Sequence, residues 1–218
     1  INPLFFDNSV FDIYGALFNG ASLVPLSKKD IINPLIAANK LKKNKITIWF
    51  SVPSLIIYFQ KFSMMNRQKF PSLKKIIFGG EGFPKKNLKS LYYNFSKKIN
   101  IYNVYGPTEC TCICSSYKIS KNDFSKREMS RLAPFGKTLA KNFKYLILNE
   151  KLKKVKIGQI GELHIGGDNV GNGYYNQSDE TKIKFIQNPE HNSYTEIFYK
   201  TGDLVYVDKK SKFCLLYT

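Results

Sequence analysis

The chain is 218 residues long, 43% hydrophobic and 15% aromatic, which suffices for one full domain or two small ones around a packed core and argues against disorder. Lys and Arg number 34 against 16 Asp and Glu, a net charge of +18, a balance that usually raises nucleic acid or an anionic membrane as partner. Here 31 of the 34 are scattered lysines among many Asn, Ile, Tyr and Phe, whereas surfaces that clamp phosphates or read bases favour Arg; no apolar run approaches the roughly 18 residues of a spanning helix, so neither a specific nucleic-acid partner nor a membrane is expected, and a bias toward A/T-rich codons explains the charge.

The chain opens Ile1-Asn2-Pro3, with neither an initiator Met nor a charged, hydrophobic leader, which reads as a start inside a longer protein with no signal peptide. Ser9 is predicted to cap a helix over 10–18 that Asn19-Gly20 ends. Residues 21–25 read as a short strand, and Asp30 as the cap of a helix running to about Lys43 with Pro34 early in it. KITIWF (45–50) is predicted as a buried strand, with Pro53 opening a helix through Phe62. KKIIFG (74–79) is a second strand. Residues 84–95 carry Leu88, Leu91, Tyr92 and Phe95 at helical spacing, and 99–104 is a further strand. Strands alternating with helices predict crossovers and a mostly parallel sheet.

After about residue 115 the pattern changes. SYKI, FKYLILN, GELHIGG, FYKTGD and LVYVD are short, turn-bounded runs with little helix between them, and 121–131 and 151–158 read as loops. The predicted fold class is therefore α/β: a mostly parallel sheet with flanking helices over 1–115, followed by a β-rich subdomain over 116–218. Cys110, Cys112 and Cys114 alternate, which in a strand places three small side chains on one packed face. Metal binding would want C-x-x-C pairs with partners, and no disulfide framework is evident, so a reducing cytoplasm is expected.

Four segments carry chemistry. Asn103-Val104-Tyr105-Gly106-Pro107-Thr108-Glu109 follows a strand, and ligands of open parallel sheets bind beyond the carboxyl ends of strands. Thr108 offers a hydroxyl and Glu109 a carboxylate, suited to a phosphate and its Mg²⁺; Tyr105 and Asn103 suit an adenine ring. An ordinary Gly-Pro turn with a capping Thr is the alternative. Gly79-Gly80-Glu81-Gly82 also follows a strand, where glycines let a ligand lie against backbone or simply turn the chain. Asp7 sits before Ser9, as a partner for a substrate amine or as part of a helix cap. Tyr199-Lys200-Thr201-Gly202-Asp203 ends in an acid able to bind ribose hydroxyls, or is a plain turn.

Taken in order, Asp7-x-Ser9, NVYGPTE (103–109), Gly161-Glu162-Leu163-x-Ile165-x-Gly167 with Val170 and Gly173-Tyr174, and YKTGD (199–203) resemble the adenylate-forming superfamily over nearly the whole chain. FFDNSVFDIYGAL looks most like the amino-acid adenylation domains of non-ribosomal peptide synthetases and the D-alanine–carrier-protein ligases. The resemblance implies an AMP-forming ligase. ATP and an amino acid give an aminoacyl-adenylate and pyrophosphate, and the acyl group passes to the phosphopantetheine thiol of a carrier protein. By resemblance, Asp7 holds the substrate ammonium, with Asn8, Phe11, Phe50, Ile77, Gly79, Val104, Cys112 and Ile113 lining the pocket. Gly80, Glu81, Gly82, Asn103, Tyr105 and Gly106 lie around the nucleotide, ATP or AMP. Thr108 contacts phosphate and Glu109 the Mg²⁺, as the catalytic pair; Asp203 binds ribose. A pocket apolar apart from Asn8 and Asp7 favours a neutral amino acid.

Two rivals stand beside this reading: a fatty- or aryl-acid-activating branch of the superfamily, and a non-catalytic remnant that at most binds nucleotide. The superfamily's Ser/Thr/Gly-rich phosphate loop with its Lys is not found upstream of Asp7. The C-terminal lid domain with its catalytic Lys, opened by a Gly-Arg pair, does not follow Cys214. The 218 residues alone are therefore expected to be a fragment of the large N-terminal domain, inactive by themselves.

Overall fold

The structure is a computed structural model that describes residues 2–95, 98–125, 131–208 and 213–217. It divides into two compact units, one of residues 1–103 with 118–133, the other of 104–117 with 134–218.

In the first unit, β1 (Ile48–Ser51), β2 (Lys75–Phe78) and β3 (Asn100–Tyr105) run parallel, with Trp49, Ile76 and Ile101 in register and Ser51, Phe78 and Asn103 in register two residues further on. Parallel neighbours need long crossovers, and α4 (Pro53–Lys61) and α5 (Lys85–Asn94) supply them. Continuous apolar strands suit a sheet covered by helices. Trp49, Ile56, Phe59, Ile76, Phe78, Leu88 and Leu91 are all essentially solvent-free, and the Trp49 ring stands edge-on to Phe59 at 5.1 Å and to Phe70 at 5.7 Å.

Three local expectations are corrected in this unit. The first helix, α1, spans Asn8–Leu17 with Asp7 at its N-cap; Ser9 lies inside it, buried, and donates to the carbonyl of Leu4 at 3.3 Å. Residues 21–25 form no strand. The helix expected to start at Asp30 is two helices, α2 (Lys28–Ile32) and α3 (Pro34–Lys43). Ser27 caps α2 and Asp30 is its reciprocal partner, a capping box. The break falls at Asn33 because the residue before a proline is driven out of the α region; Asn33 is extended and its side chain caps α3.

The second unit is β-rich and antiparallel. Its main sheet has the order β10-β9-β7-β6, with β8 also on β9, from β6 (Phe143–Leu148), β7 (Gly161–Gly167), β8 (Phe185–Gln187), β9 (Ile197–Val207) and β10 (Phe213–Tyr217). A short helix that the sequence did not suggest, α6 (Ser178–Lys184), precedes β8. Strand alternation sends Ile147, Leu163, Ile165, Tyr199 and Val205 to one core cluster, and Leu146, Leu148 and Phe198 to another. β4 (Ser115–Lys118) pairs antiparallel with β5 (Lys137–Thr138). FYKTGD and LVYVD, expected as separate runs, are one strand: the register skips between Glu162 and His164, so Thr201, Gly202 and Asp203 bulge opposite Leu163 alone.

The alternating cysteines are buried, but not on a strand. Cys110 closes a 3₁₀ turn, and Thr111 and Cys112 take φ of +58° and +71°. Part of the loop expected over 121–131 lies outside the described residues; 121–124 form a 3₁₀ turn. Among the described residues no helix is long and apolar enough to cross a membrane.

Candidate functional site

In the first unit the candidate residues gather around the N-terminus of α1 and the ends of the strands. Asp7 is half-buried at the N-cap, and its carboxylate makes no capping bond. The amide nitrogen of Asn8 lies 3.5 Å from where a Cβ on Gly80 would be, so α1 and the turn after β2 meet there. Phe11 stands edge-on to Phe50 at 4.7 Å, and Phe50 is the register partner of Ile77. Phe11 and Phe50 line a cavity of about 400 Å³ with Leu23, Leu41, Ile46 and Trp49. Asp7, Asn8, Ile77 and Gly79 do not line it.

Gly79 is buried at the end of β2, and Gly80, Glu81 and Gly82 are exposed. Glu81 has a local task. Its carboxylate accepts the backbone N–H and the hydroxyl of Ser54, both at 3.0 Å. Ser54 is in the first turn of α4, whose own N-cap, Val52, has no side chain able to cap. An acid there satisfies orphan N–H groups and complements the helix dipole. Asn103 is buried and its amide donates to the carbonyl of Ala133 at 3.4 Å.

In the second unit the Tyr105 hydroxyl donates to Oδ2 of Asp203, so one residue from each of the two most specific motifs is in contact. The Tyr105 ring packs 4.7 Å from Phe135, and burial together with the Asp203 charge pushes its hydroxyl far above the ordinary phenol range. The bulge places Asp203: its N–H donates to Thr201 Oγ1 at 3.0 Å, the Thr201 hydroxyl donates to the carbonyl of Leu163 at 2.8 Å, and Gly202 N–H donates to Glu162 at 3.0 Å. Burial holds the Asp203 carboxyl above its ordinary value against the opposing pull of the Tyr105 hydroxyl.

In the same unit, Tyr105 is followed by the loop from Gly106 to Ile113. A Cβ on Gly106 would sit 2.2 Å from the carbonyl oxygen of Cys112, so only glycine lets the loop fold back so tightly. Thr108 is exposed at the start of the 3₁₀ turn; Val104 and Cys112 are buried and Ile113 half-buried. Glu109 is half-buried. Burial alone would raise its carboxyl, but the hydroxyl of Tyr174, at 2.6 Å, with that of Tyr199 and the charge of Lys184, holds it below the usual carboxylate value. Among the described residues no group of three or more His, Cys, Asp or Glu could hold a metal. A single ionised carboxylate beside an exposed hydroxyl fits Mg²⁺ carried in on phosphates, because Mg²⁺ keeps waters and takes one or two protein carboxylates.

In the sequence Tyr174 is marked only by its place in the Gly173-Tyr174 motif. The partner it touches is 65 residues away, and no local pattern reports such a contact.

Residues 1–175 match the family described as AMP-binding enzyme. Bacitracin synthase 1 of Bacillus licheniformis is 37% identical over 199 residues, 91% of this chain but 4% of that protein. Surfactin synthase subunit 2 of Bacillus subtilis (strain 168) is 32% identical over 200 residues, 91% of this chain and 5% of that one. Among solved structures, the Vibrio cholerae adenylation domain AlmE, in complex with glycyl-adenosine-5'-phosphate, matches with a TM-score of 0.83 and 25% identity over 98% of this chain and 38% of that chain. PA1221, an NRPS protein containing adenylation and PCP domains, shares the fold with a TM-score of 0.82 over 99% of this chain and 42% of that one. The chain thus spans a small part of the synthetases it resembles, and on the family match and these identities it belongs to the AMP-binding enzyme family.

Proposed function

We propose that these residues belong to an amino-acid-activating, AMP-forming ligase that makes an aminoacyl-adenylate and passes the acyl group to a carrier-protein thiol. The observation that carries the reading is the Tyr105–Asp203 hydrogen bond, which puts one residue of NVYGPTE in contact with one of YKTGD. Tyr105 offers an aromatic face to adenine and Asp203 a buried acceptor to ribose hydroxyls. Attack of a carboxylate on the α-phosphate needs positioning and charge neutralisation rather than a protein nucleophile. Thr108 would donate to a phosphate oxygen and Glu109 would hold Mg²⁺. When bound, Mg²⁺ neutralises the phosphate charge that develops as pyrophosphate leaves.

Substrate class rests on Asp7. A carboxylate with no capping bond to its own helix is suited to an α-ammonium, and it would repel the carboxylate of a plain fatty or aryl acid. Bacitracin synthase 1, at 37% identity, and the NRPS protein containing adenylation and PCP domains support a carrier-protein acceptor. Residues 1–218 on their own contain neither the glycine-rich phosphate loop nor the lid lysine of the superfamily. We expect that polypeptide to bind AMP weakly and not to turn over, since losing several charge-stabilising groups together costs many orders of magnitude in rate.

The test is ATP–pyrophosphate exchange by the full-length protein with a panel of α-amino acids and of fatty and aryl acids. Exchange with one or a few neutral amino acids supports the reading. Exchange driven equally by fatty acids overturns it.

A further inference from the structure

The segment 168–174, after β7, runs along the loop that carries Thr108 and Glu109, and four hydrogen bonds join them. Gly171 N–H donates to the carbonyl of Glu109 at 2.8 Å. The Thr111 hydroxyl donates to the carbonyl of Asn169 at 2.8 Å, and the Asn169 amide to the carbonyl of Cys110 at 3.2 Å. The Tyr174 hydroxyl donates to Oε1 of Glu109 at 2.6 Å. Glu109 is thus held at its main chain and at its carboxylate by the same short stretch.

Tyr174 is itself fixed at three points. Its ring stands edge-on to Phe185 at 5.5 Å. Its N–H donates to Thr181 Oγ1 in α6 at 2.9 Å. Its hydroxyl also lies 3.3 Å from that of Tyr199. The residue before it, Gly173, has φ +119°, and a Cβ there would come within 2.3 Å of Thr181 Cγ2. Only glycine lets Thr181 approach close enough to hold the Tyr174 backbone.

We infer that Tyr174 is a positioning residue for the metal-binding carboxylate: its bond to Oε1, beside the Tyr199 hydroxyl that also reaches Glu109, fixes one rotamer of Glu109 for the cation. The inference rests on the reading of Glu109 as the Mg²⁺ ligand. Partners that orient a ligating carboxylate commonly change metal affinity by 10-fold or more when removed. A purely structural aromatic would leave metal affinity unchanged once the fold is intact.

The experiment uses the full-length protein and Mn²⁺ as probe, titrated by electron paramagnetic resonance with a non-hydrolysable ATP analogue present. AMP binding without metal is measured alongside. Tyr174→Phe keeps the ring and removes one oxygen. Its Mn²⁺ affinity should fall about tenfold, with metal-free AMP affinity unchanged. Glu109→Gln should weaken Mn²⁺ at least as much, and the double variant should be no weaker than Glu109→Gln alone, since coupled partners are not additive. If Glu109→Gln weakens Mn²⁺ but Tyr174→Phe does not, or if the two losses add, the role of Tyr174 is overturned and that of Glu109 stands. If Glu109→Gln itself binds Mn²⁺ normally, the metal reading is overturned and this inference with it.

Discussion

Tyr105 and Asp203 lie 98 residues apart in the chain and share a hydrogen bond from phenol to carboxylate. The acid is buried by the β9 bulge, and that burial raises its affinity for a proton. A carboxylate with a raised folded-state value is most favourable in acid, and its contribution to stability declines as the pH climbs from about 4 through the folded value. Asp203→Asn removes that decline while still accepting the Tyr105 hydroxyl. Without nucleotide the variant is expected to melt at the same temperature as the parent or higher at pH 7, yet to bind AMP at least about tenfold more weakly, having lost a charged acceptor. A lower melting temperature at pH 7 with unchanged AMP affinity would sink the ribose assignment.

Tyr105 separates two contributions. Tyr105→Phe keeps the ring against Phe135 and deletes the bond to Asp203, whereas Tyr105→Ala removes the stacking face too. Base–aromatic stacking contributes about 1–3 kcal/mol, so Tyr105→Ala should raise the Michaelis constant for ATP roughly tenfold and Tyr105→Phe much less. Steady-state kinetics of the full-length protein decide, and an unchanged constant in Tyr105→Ala would put adenine elsewhere.

His164 makes the fold sensitive to acid. It is fully buried on β7; Nδ1 is 3.1 Å from the carbonyl of Glu162, and Nε2 has no hydrogen-bond partner among the described residues. Burial lowers its pKa, so the unfolded chain takes up a proton that the folded one resists. Stability is then lost as the pH falls below about 6.5. In His164→Leu, whose side chain suits the face shared with Leu146, the melting temperature should vary less between about pH 7 and 5 than in the parent. Equal pH slopes would refute this.

Gly106 has a steric test. With Cys112 carbonyl oxygen 2.2 Å from any Cβ at that position, Gly106→Ala must displace the loop. Overpacking of this kind costs about 1–3 kcal/mol, to be read from urea unfolding, and nucleotide affinity should fall with it. Parental stability would show that the loop is not folded back as described.

The parallel strands and α5 were legible because each is a single uninterrupted signal: an apolar run in KITIWF and KKIIFG, and 3.6-residue spacing in Leu88, Leu91 and Phe95. Residues 21–25 read as a strand because Leu23 and Val24 are apolar and only Val24 is β-branched, a weak propensity that forms no strand without a pairing partner. Pro34 opens α3 and forces Asn33 out of the α region, so what reads as one helix from Asp30 is two. The roles proposed for Asp7, Tyr105, Glu109 and Asp203 rest on ordered motifs. The contacts of Glu81 with Ser54 and of Glu109 with Tyr174 span 27 and 65 residues, which no local pattern encodes.

On the proposed function, Asp7 is the residue that sets amino acids apart from other acids. The carboxylate has no capping bond, so its removal should leave α1 intact, while breaking a desolvated carboxylate–ammonium pair costs about 3–5 kcal/mol. The measurement is amino-acid-dependent ATP–pyrophosphate exchange by full-length Asp7→Ala against the parent, with AMP binding by calorimetry as control. Exchange should fall at least about a hundredfold with AMP affinity preserved; a variant that exchanges at the parental rate would contradict amino-acid recognition by this residue.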